Sequence, residues 1–182
     1  MRILDLFKKK KPANAERNEY VVPQTEIIVP VNRRERLRVN ARAGTQVLII
    51  DDSATVQGAL GKILQSAGYI IHTADNAEAG LEMARGDKPN LIFLDIMLPG
   101  MHGFSALRKI RRDAQLMDIP VIVMSGHEKA TEHFFSSQVA AEDFMKKPFS
   151  RQEVFARIER LLDQKRIPRR LPGAGRGLEM QS

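Results

Sequence analysis

Residues 47–56 read VLIIDDSATV. Four apolar residues run without polar alternation into two adjacent carboxylates, Asp51 and Asp52, and then into Ser53, a residue type that opens helices by accepting a backbone N–H. A strand buried on both faces explains the apolar run, because only a sheet covered by helices on each side asks for continuous apolar residues. The paired negative charge at its carboxyl end needs a separate reason.

The same grammar recurs downstream. Strand-like runs follow at YIIHTA (69–74), NLIFLD (90–95), PVIVMS (120–125) and EDFMKK (142–147). Between them lie the helical stretches TVQGALGKILQSAG, NAEAGLEMARG, GFSALRKIRRD and EKATEHFFSSQVA, and RQEVFARIERLLDQ closes the series. In this last stretch Val154, Ile158, Leu161 and Leu162 recur at helical spacing, with Arg157, Glu159, Arg160 and Asp163 on the other face. Gly68, Gly86, Pro99–Gly100 and Pro148 fall at junctions. Alternating strands and helices predict an α/β fold, a doubly wound five-stranded parallel sheet with helices on both faces and right-handed crossovers. Chemistry in such folds gathers at the carboxyl ends of the strands, where strand order reverses.

Those ends carry Asp51 and Asp52 after the first strand, Asp95 at the third, Ser125 at the fourth and Lys147 at the fifth. Three carboxylates in one crevice repel unless a cation sits among them. Magnesium, a hard ion held by one or two carboxylates plus phosphate oxygens, accounts for the acid pair. Taken singly, the acid pair reads as a turn or helix cap, Ser125 as a loop residue and Lys147 as a solvated charge; in chain order at strand ends they read as one site.

Residues 46–163, and LDIMLPGMHG (94–103) in particular, resemble the receiver domains of two-component response regulators, of flavodoxin-like fold. The resemblance implies that Asp95 is the nucleophile taking a phosphoryl group from a phosphohistidine on a sensor histidine kinase or phosphotransfer protein. It implies Mg²⁺ held by Asp52, Asp95 and the backbone carbonyl of Met97, with Asp51 acting largely through a bound water. Lys147 would pair with the phosphoryl group, the Ser125 hydroxyl would swing to bond it, and Phe144 would turn into the space vacated, changing the surface around the fourth helix, fifth strand and fifth helix. It also implies a cis bond between Lys147 and Pro148. His102 stands where the family often has Asp, and Met97 and His127 occupy positions that in relatives control water access to the acyl phosphate. Met97 cannot orient a water, so a long-lived phosphoryl state is expected.

The composition limits the rest. A length of 182 residues suits one domain with tails, and the absence of Cys excludes disulfides and Cys-ligated metal sites. No apolar run reaches the roughly 20 residues of a membrane span, so the expected localisation is cytoplasmic. The net charge of +7 divides into +6 over residues 1–45, −3 over 46–163 and +4 over 164–182, so the basic character belongs to the ends. The segment KRIPRRLPGAGRG reads as part of a flexible basic tail spanning 164–182, its prolines opposing further helix. Only 35 residues follow Lys147, which leaves no room for a DNA-binding domain, and the arrangement most resembles stand-alone regulators of chemotaxis and surface motility.

Residues 1–45 form a basic, largely disordered extension on this reading. MRILDLFKKKK sets Ile3, Leu6 and Phe7 ahead of Lys8 to Lys11, the pattern either of a weak interfacial anchor at the inner membrane face or of a peptide that docks on a partner. EYVVP (19–23) and EIIVP (26–30) are a near-repeat suited to strand addition, and RRERLR (33–38) reads as a solvated basic linker. GALGKI (58–63) lacks P-loop spacing, and the four histidines show no ligand spacing. A Mg²⁺-dependent phosphohydrolase with an Asp nucleophile needs a second Asp two positions on, where this chain has Met97. The reading is a phosphorylation-switched regulator rather than an enzyme, acting on a downstream protein, with that phosphohydrolase and a constitutive scaffold as its alternatives.

Overall fold

The computed structural model describes residues 39–127 and 140–170. In chain order the elements are β1 (Gln46–Ile50), α1 (Ala54–Gln65), β2 (Ile70–Ala74), α2 (Ala77–Asp87), β3 (Leu91–Asp95), α3 (Gly103–Arg112), β4 (Val121–Ser125), β5 (Asp143–Lys146) and α4 (Arg151–Arg160). All neighbouring strands pair in parallel, in the order β2-β1-β3-β4-β5. The order reverses between β1 and β3, so a crevice opens past their carboxyl ends, where Asp51, Asp52 and Asp95 lie.

The apolar runs are continuous because each strand feeds two cores. Leu48 and Ile50 of β1, Ile92 and Leu94 of β3, and Val121 and Val123 of β4 face α2 and α3 through Leu81, Ala84, Phe104, Leu107 and Ile110. Their alternating neighbours Val47, Ile49, Leu91, Phe93, Ile122 and Met124 face α1 and α4 through Leu60, Leu64, Val154, Phe155 and Ile158. Period-two alternation of the side chains thus fills both faces of the sheet. Caps start the helices where the sequence offers them: Ser53, Asn76 and Ser150 accept the N–H groups of Val56, Ala79 and Glu153.

The stretch EKATEHFFSSQVA falls almost wholly outside the described residues, as do residues 1–38 with their Lys run, near-repeat and Arg-rich segment. The closing helix differs from expectation. It ends at Arg160 rather than continuing through Gln164. Asp163 takes over there: its Oδ1 accepts the N–H groups of Lys165 and Ile167, its N–H donates to the Ile167 carbonyl, and Leu162 pairs with Pro168 in an antiparallel bridge. A side-chain acceptor competing for local N–H groups stops a helix that apolar spacing alone would extend.

Residues 164–170, read from sequence as the start of a flexible tail, are therefore a fixed turn. Arg170 Nε donates to Glu142 Oε1 at 3.1 Å, and Arg111 donates to Glu142 Oε2 at 2.7 Å, so two guanidinium groups share one buried carboxylate. Glu142 Oε2 also accepts the Val121 N–H at 2.6 Å. The linker before β1 joins this assembly: Arg42 N–H donates to the Arg166 carbonyl at 3.0 Å and Ala41 N–H to the Tyr69 hydroxyl at 2.8 Å.

Candidate functional site

β1 and β3 end side by side, and each ends in a carboxylate held by the same local device. Asp51 Oδ1 accepts the Ser53 N–H at 3.0 Å, and Asp95 Oδ1 accepts the Met97 N–H at 3.2 Å. Fixing one oxygen on the N–H two residues ahead leaves the other free to turn into the crevice. There Lys147 Nζ, carried in from the end of β5, lies 2.5 Å from Asp51 Oδ2 and 2.9 Å from Asp95 Oδ2. Gln57 braces the rim by donating to the Asp51 carbonyl at 2.6 Å and the Ala74 carbonyl at 3.1 Å, tying the ends of β1 and β2 together.

Asp51, Asp52 and Asp95 each offer an oxygen within 4.8 Å of the others. Asp51 and Asp95 are buried and Asp52 is exposed at the mouth. Burial pushes the Asp51 carboxyl up; Lys147 and the Ser53 N–H pull the other way, and the charge of Asp95 adds to the rise. Burial also works against the Lys147 charge, but its hydrogen bonds to the two carboxylates and their charges outweigh that and hold it above the ordinary lysine value. Lys147 is therefore an ammonium at neutral pH, set between two acids.

The donor set suits a hard divalent cation. All three donors are carboxylate oxygens, and the Asp51 Oδ2 turned into the crevice faces only the Lys147 ammonium among the described side chains. An octahedral Mg²⁺ shell at about 2.1 Å places its ligands roughly 3 to 4.2 Å apart. A spread of up to 4.8 Å is a small inward adjustment from that arrangement.

The remaining site residues lie around this centre. Ser125 ends β4 fully buried, its Oγ accepting the His127 N–H at 3.1 Å. Met97 is 44 % exposed beside Asp95. The Lys147–Pro148 bond is cis. Phe144 is buried, at 6 % exposure, in the cluster that contains Val123 and Ala141. His102 caps α3, its Nδ1 accepting the Phe104 N–H at 3.4 Å while its ring stacks on Phe104. Sequence reasoning missed Gln57 and Gly103, neither of which bears a charge that marks a site. Among the described residues no helix is long and apolar enough to cross a membrane, and His72 pairs with Asp87 at 3.4 Å rather than with another histidine.

Comparison with known proteins points the same way. A family model, the response regulator receiver domain, matches residues 47–159. Protein PilH of Pseudomonas aeruginosa is 32% identical over 117 residues, which cover 64% of this chain and 97% of that protein. The phosphate regulon transcriptional regulatory protein PhoB of the same organism is 34% identical, the match covering 65% of this chain and 52% of the relative. The chain thus spans about half the length of the transcriptional regulators it matches. Among solved structures, the chemotaxis protein CheY4 of Vibrio cholerae superposes with a TM-score of 0.59 at 28% identity, covering 66% of this chain and 100% of that one. The receiver domain of a Pseudomonas aeruginosa sensor histidine kinase, solved with a magnesium ion coordinated in its active site cleft, does so with a TM-score of 0.59 at 27% identity, covering 65% and 96%.

Proposed function

The chain belongs over residues 47–159 to the response regulator receiver domain family, and from that premise we propose that it is a phosphorylation-switched receiver, accepting a phosphoryl group on Asp95 and signalling through a protein partner. The observation that carries this reading is the Lys147 ammonium spanning Asp51 and Asp95 inside a three-carboxylate cluster at the point of strand reversal. The expected setting is the cytoplasm.

Asp95 is the nucleophile. Its carboxylate attacks the phosphorus of a phosphohistidine on a sensor histidine kinase or phosphotransfer protein; the P–N bond breaks, the imidazole leaves with the electron pair, and an acyl phosphate forms. Asp52, Asp95 and the Met97 carbonyl would hold Mg²⁺, with Asp51 acting through a water, and the ion supplies charge neutralisation on the transferring oxygens. Lys147 gives up its contact with Asp95 as that charge is esterified and pairs with the phosphoryl oxygens, a charge-assisted contact aimed where negative charge accumulates. Ser125 already accepts from the His127 N–H, which leaves its O–H to donate to the phosphoryl group. The roughly −2 charge added at the strand ends repositions these partners. Movement of Ser125 toward the phosphoryl group vacates space into which Phe144 turns, and the output is a changed surface around the fourth helix expected from sequence, β5 and α4.

Incubating the full chain with Mg²⁺ and acetyl phosphate, read by intact mass, tests the proposal. One stable phosphoryl group on wild type and none on Asp95→Asn supports it. Continuous phosphate release without labelling would assign a phosphohydrolase instead, and neither labelling nor release would leave a constitutive scaffold.

A further inference from the structure

Of the three acids at the crevice, Asp52 is the one not held by its own side chain. Asp51 is fixed by the Ser53 N–H and Lys147, and Asp95 by the Met97 N–H and Lys147. Among the described residues the exposed Asp52 carboxylate accepts no hydrogen bond and joins no ion pair. Its direction is therefore set by the main chain on either side of it.

One residue grips that main chain twice. The Gln57 N–H donates to the Ser53 carbonyl at 3.0 Å, just after Asp52, and the Gln57 Nε2 donates to the Asp51 carbonyl at 2.6 Å, just before it. The Asp51 carbonyl belongs to the planar peptide whose N–H is that of Asp52. Holding this oxygen stops the peptide from turning and so fixes the point from which the Asp52 side chain leaves the chain.

Gln57 Nε2 also donates to the Ala74 carbonyl at 3.1 Å, which itself accepts the Asp51 N–H at 3.0 Å, so the end of β2 is locked to the acid pair as well. Both amide hydrogens meet carbonyl oxygens, where the amide oxygen of a reversed side chain would be repelled, so the partners dictate how Gln57 is turned. Holding α1 on the sheet does not require this, because Leu60 and Leu64 already pack the helix there. What the two side-chain bonds add is a fixed Asp51–Asp52 peptide. We infer that Gln57 is a positioning residue of the cation site: it presets the Asp52 carboxylate for Mg²⁺ through the Asp51 and Ser53 carbonyls, without itself touching the ion or the phosphoryl group. This role rests on the three acids being a Mg²⁺ site, and not on which residue takes the phosphoryl group.

Gln57→Met keeps the length of the side chain and removes both donors. Isothermal titration of the full chain with Mg²⁺ should show it binding about tenfold or more weakly than wild type, the range for partners that orient metal ligands. The Mg²⁺ concentration for half-maximal labelling by acetyl phosphate should rise in step, while the labelling rate at saturating Mg²⁺ stays within about threefold, because cation binding is lost rather than a contact made only in the transition state. In the metal-free protein, hydrogen exchange should quicken at the Asp51 and Ser53 amides, which donate to the Ala74 carbonyl and to Asp51 Oδ1. Leu64→Val, which loosens α1 about two turns further on, should keep its Mg²⁺ affinity within about twofold, and circular dichroism should show both variants folded. Weakened Mg²⁺ binding with quickened exchange in Gln57→Met supports the assignment whether or not Asp95 becomes labelled, so the two readings fail separately. Wild-type Mg²⁺ affinity in Gln57→Met, an equal loss in Leu64→Val, a slower rate at saturating Mg²⁺ with affinity unchanged, or no Mg²⁺ binding by the wild type would each overturn it.

Discussion

Gly103 lies against the backbone of Asp95 so closely that a Cβ on it would stand 2.1 Å from the Asp95 carbonyl oxygen and 2.7 Å from Ile96 Cα. Its N–H donates to the Ile96 carbonyl at 2.9 Å, so the first turn of α3 is pressed directly onto the acceptor strand. The atoms in the way are backbone and cannot rotate aside. Gly103→Ala should cost about 1–3 kcal/mol of stability, the range for overpacked sites, and should slow phosphoryl labelling by displacing Asp95. Urea denaturation and the rate of labelling by acetyl phosphate measure the two effects; wild-type values for both would show that the contact is not binding on the backbone.

Lys147 neutralises the carboxylates that a metal ion would also neutralise, so the two cations compete. Lys147→Gln should bind Mg²⁺ severalfold more tightly while accepting phosphate at least about tenfold more slowly, because an electrostatic partner of the transition state is gone. Isothermal titration and labelling kinetics separate the two. Weaker metal binding in the variant would mean that Lys147 organises the acids rather than competing for them.

The exposed Met97 side chain bears on the lifetime of the acyl phosphate. A thioether is at most a weak acceptor and does not position an attacking water. The labelled protein, freed of phosphodonor, should lose its phosphoryl group over minutes rather than seconds, and Met97→Asn should shorten that time. Decay followed by mass spectrometry checks both, and a wild-type lifetime of seconds would contradict the assignment.

Asp163 makes a pH prediction. The Ile167 N–H, with help from Arg169 and the Lys165 N–H, holds its carboxyl below the ordinary value of 3.8. A depressed folded value means that the charged form favours the folded turn: that contribution is fully present above 3.8 and is lost as pH falls through the folded pKa. Carboxyl chemical shifts should therefore place the Asp163 midpoint below 3.8, and Asp163→Asn should remove that part of the acid dependence. A midpoint at or above the ordinary value would mean that the cap does not form.

The sheet was legible because β1, β3 and β4 each carry a short apolar run unbroken by polar alternation, and the site was legible because its charged members stand at the carboxyl ends of strands. What the sequence concealed depends on contacts made across the fold. The spacing of Val154, Ile158, Leu161 and Leu162 continues past the point where Asp163 draws the chain into a turn, so periodicity says nothing of the stop. Arg170 looks like one basic residue among several until Glu142, 28 residues earlier, supplies its partner. Phe144 reads alike whether its ring is in or out, and only its neighbours in the core decide. Gly103 carries no chemistry, and its role appears only as the space it leaves empty.

The account rests on Asp95 being the residue at which three acids and one lysine are put to use. Reducing the labelled protein with borohydride converts an acyl phosphate to an alcohol, turning aspartyl phosphate into homoserine, and peptide sequencing by mass spectrometry then reads the position. Homoserine at residue 95, dependent on Mg²⁺, is the predicted result. Homoserine at Asp51 or Asp52, or labelling that persists in a chelator, would contradict it.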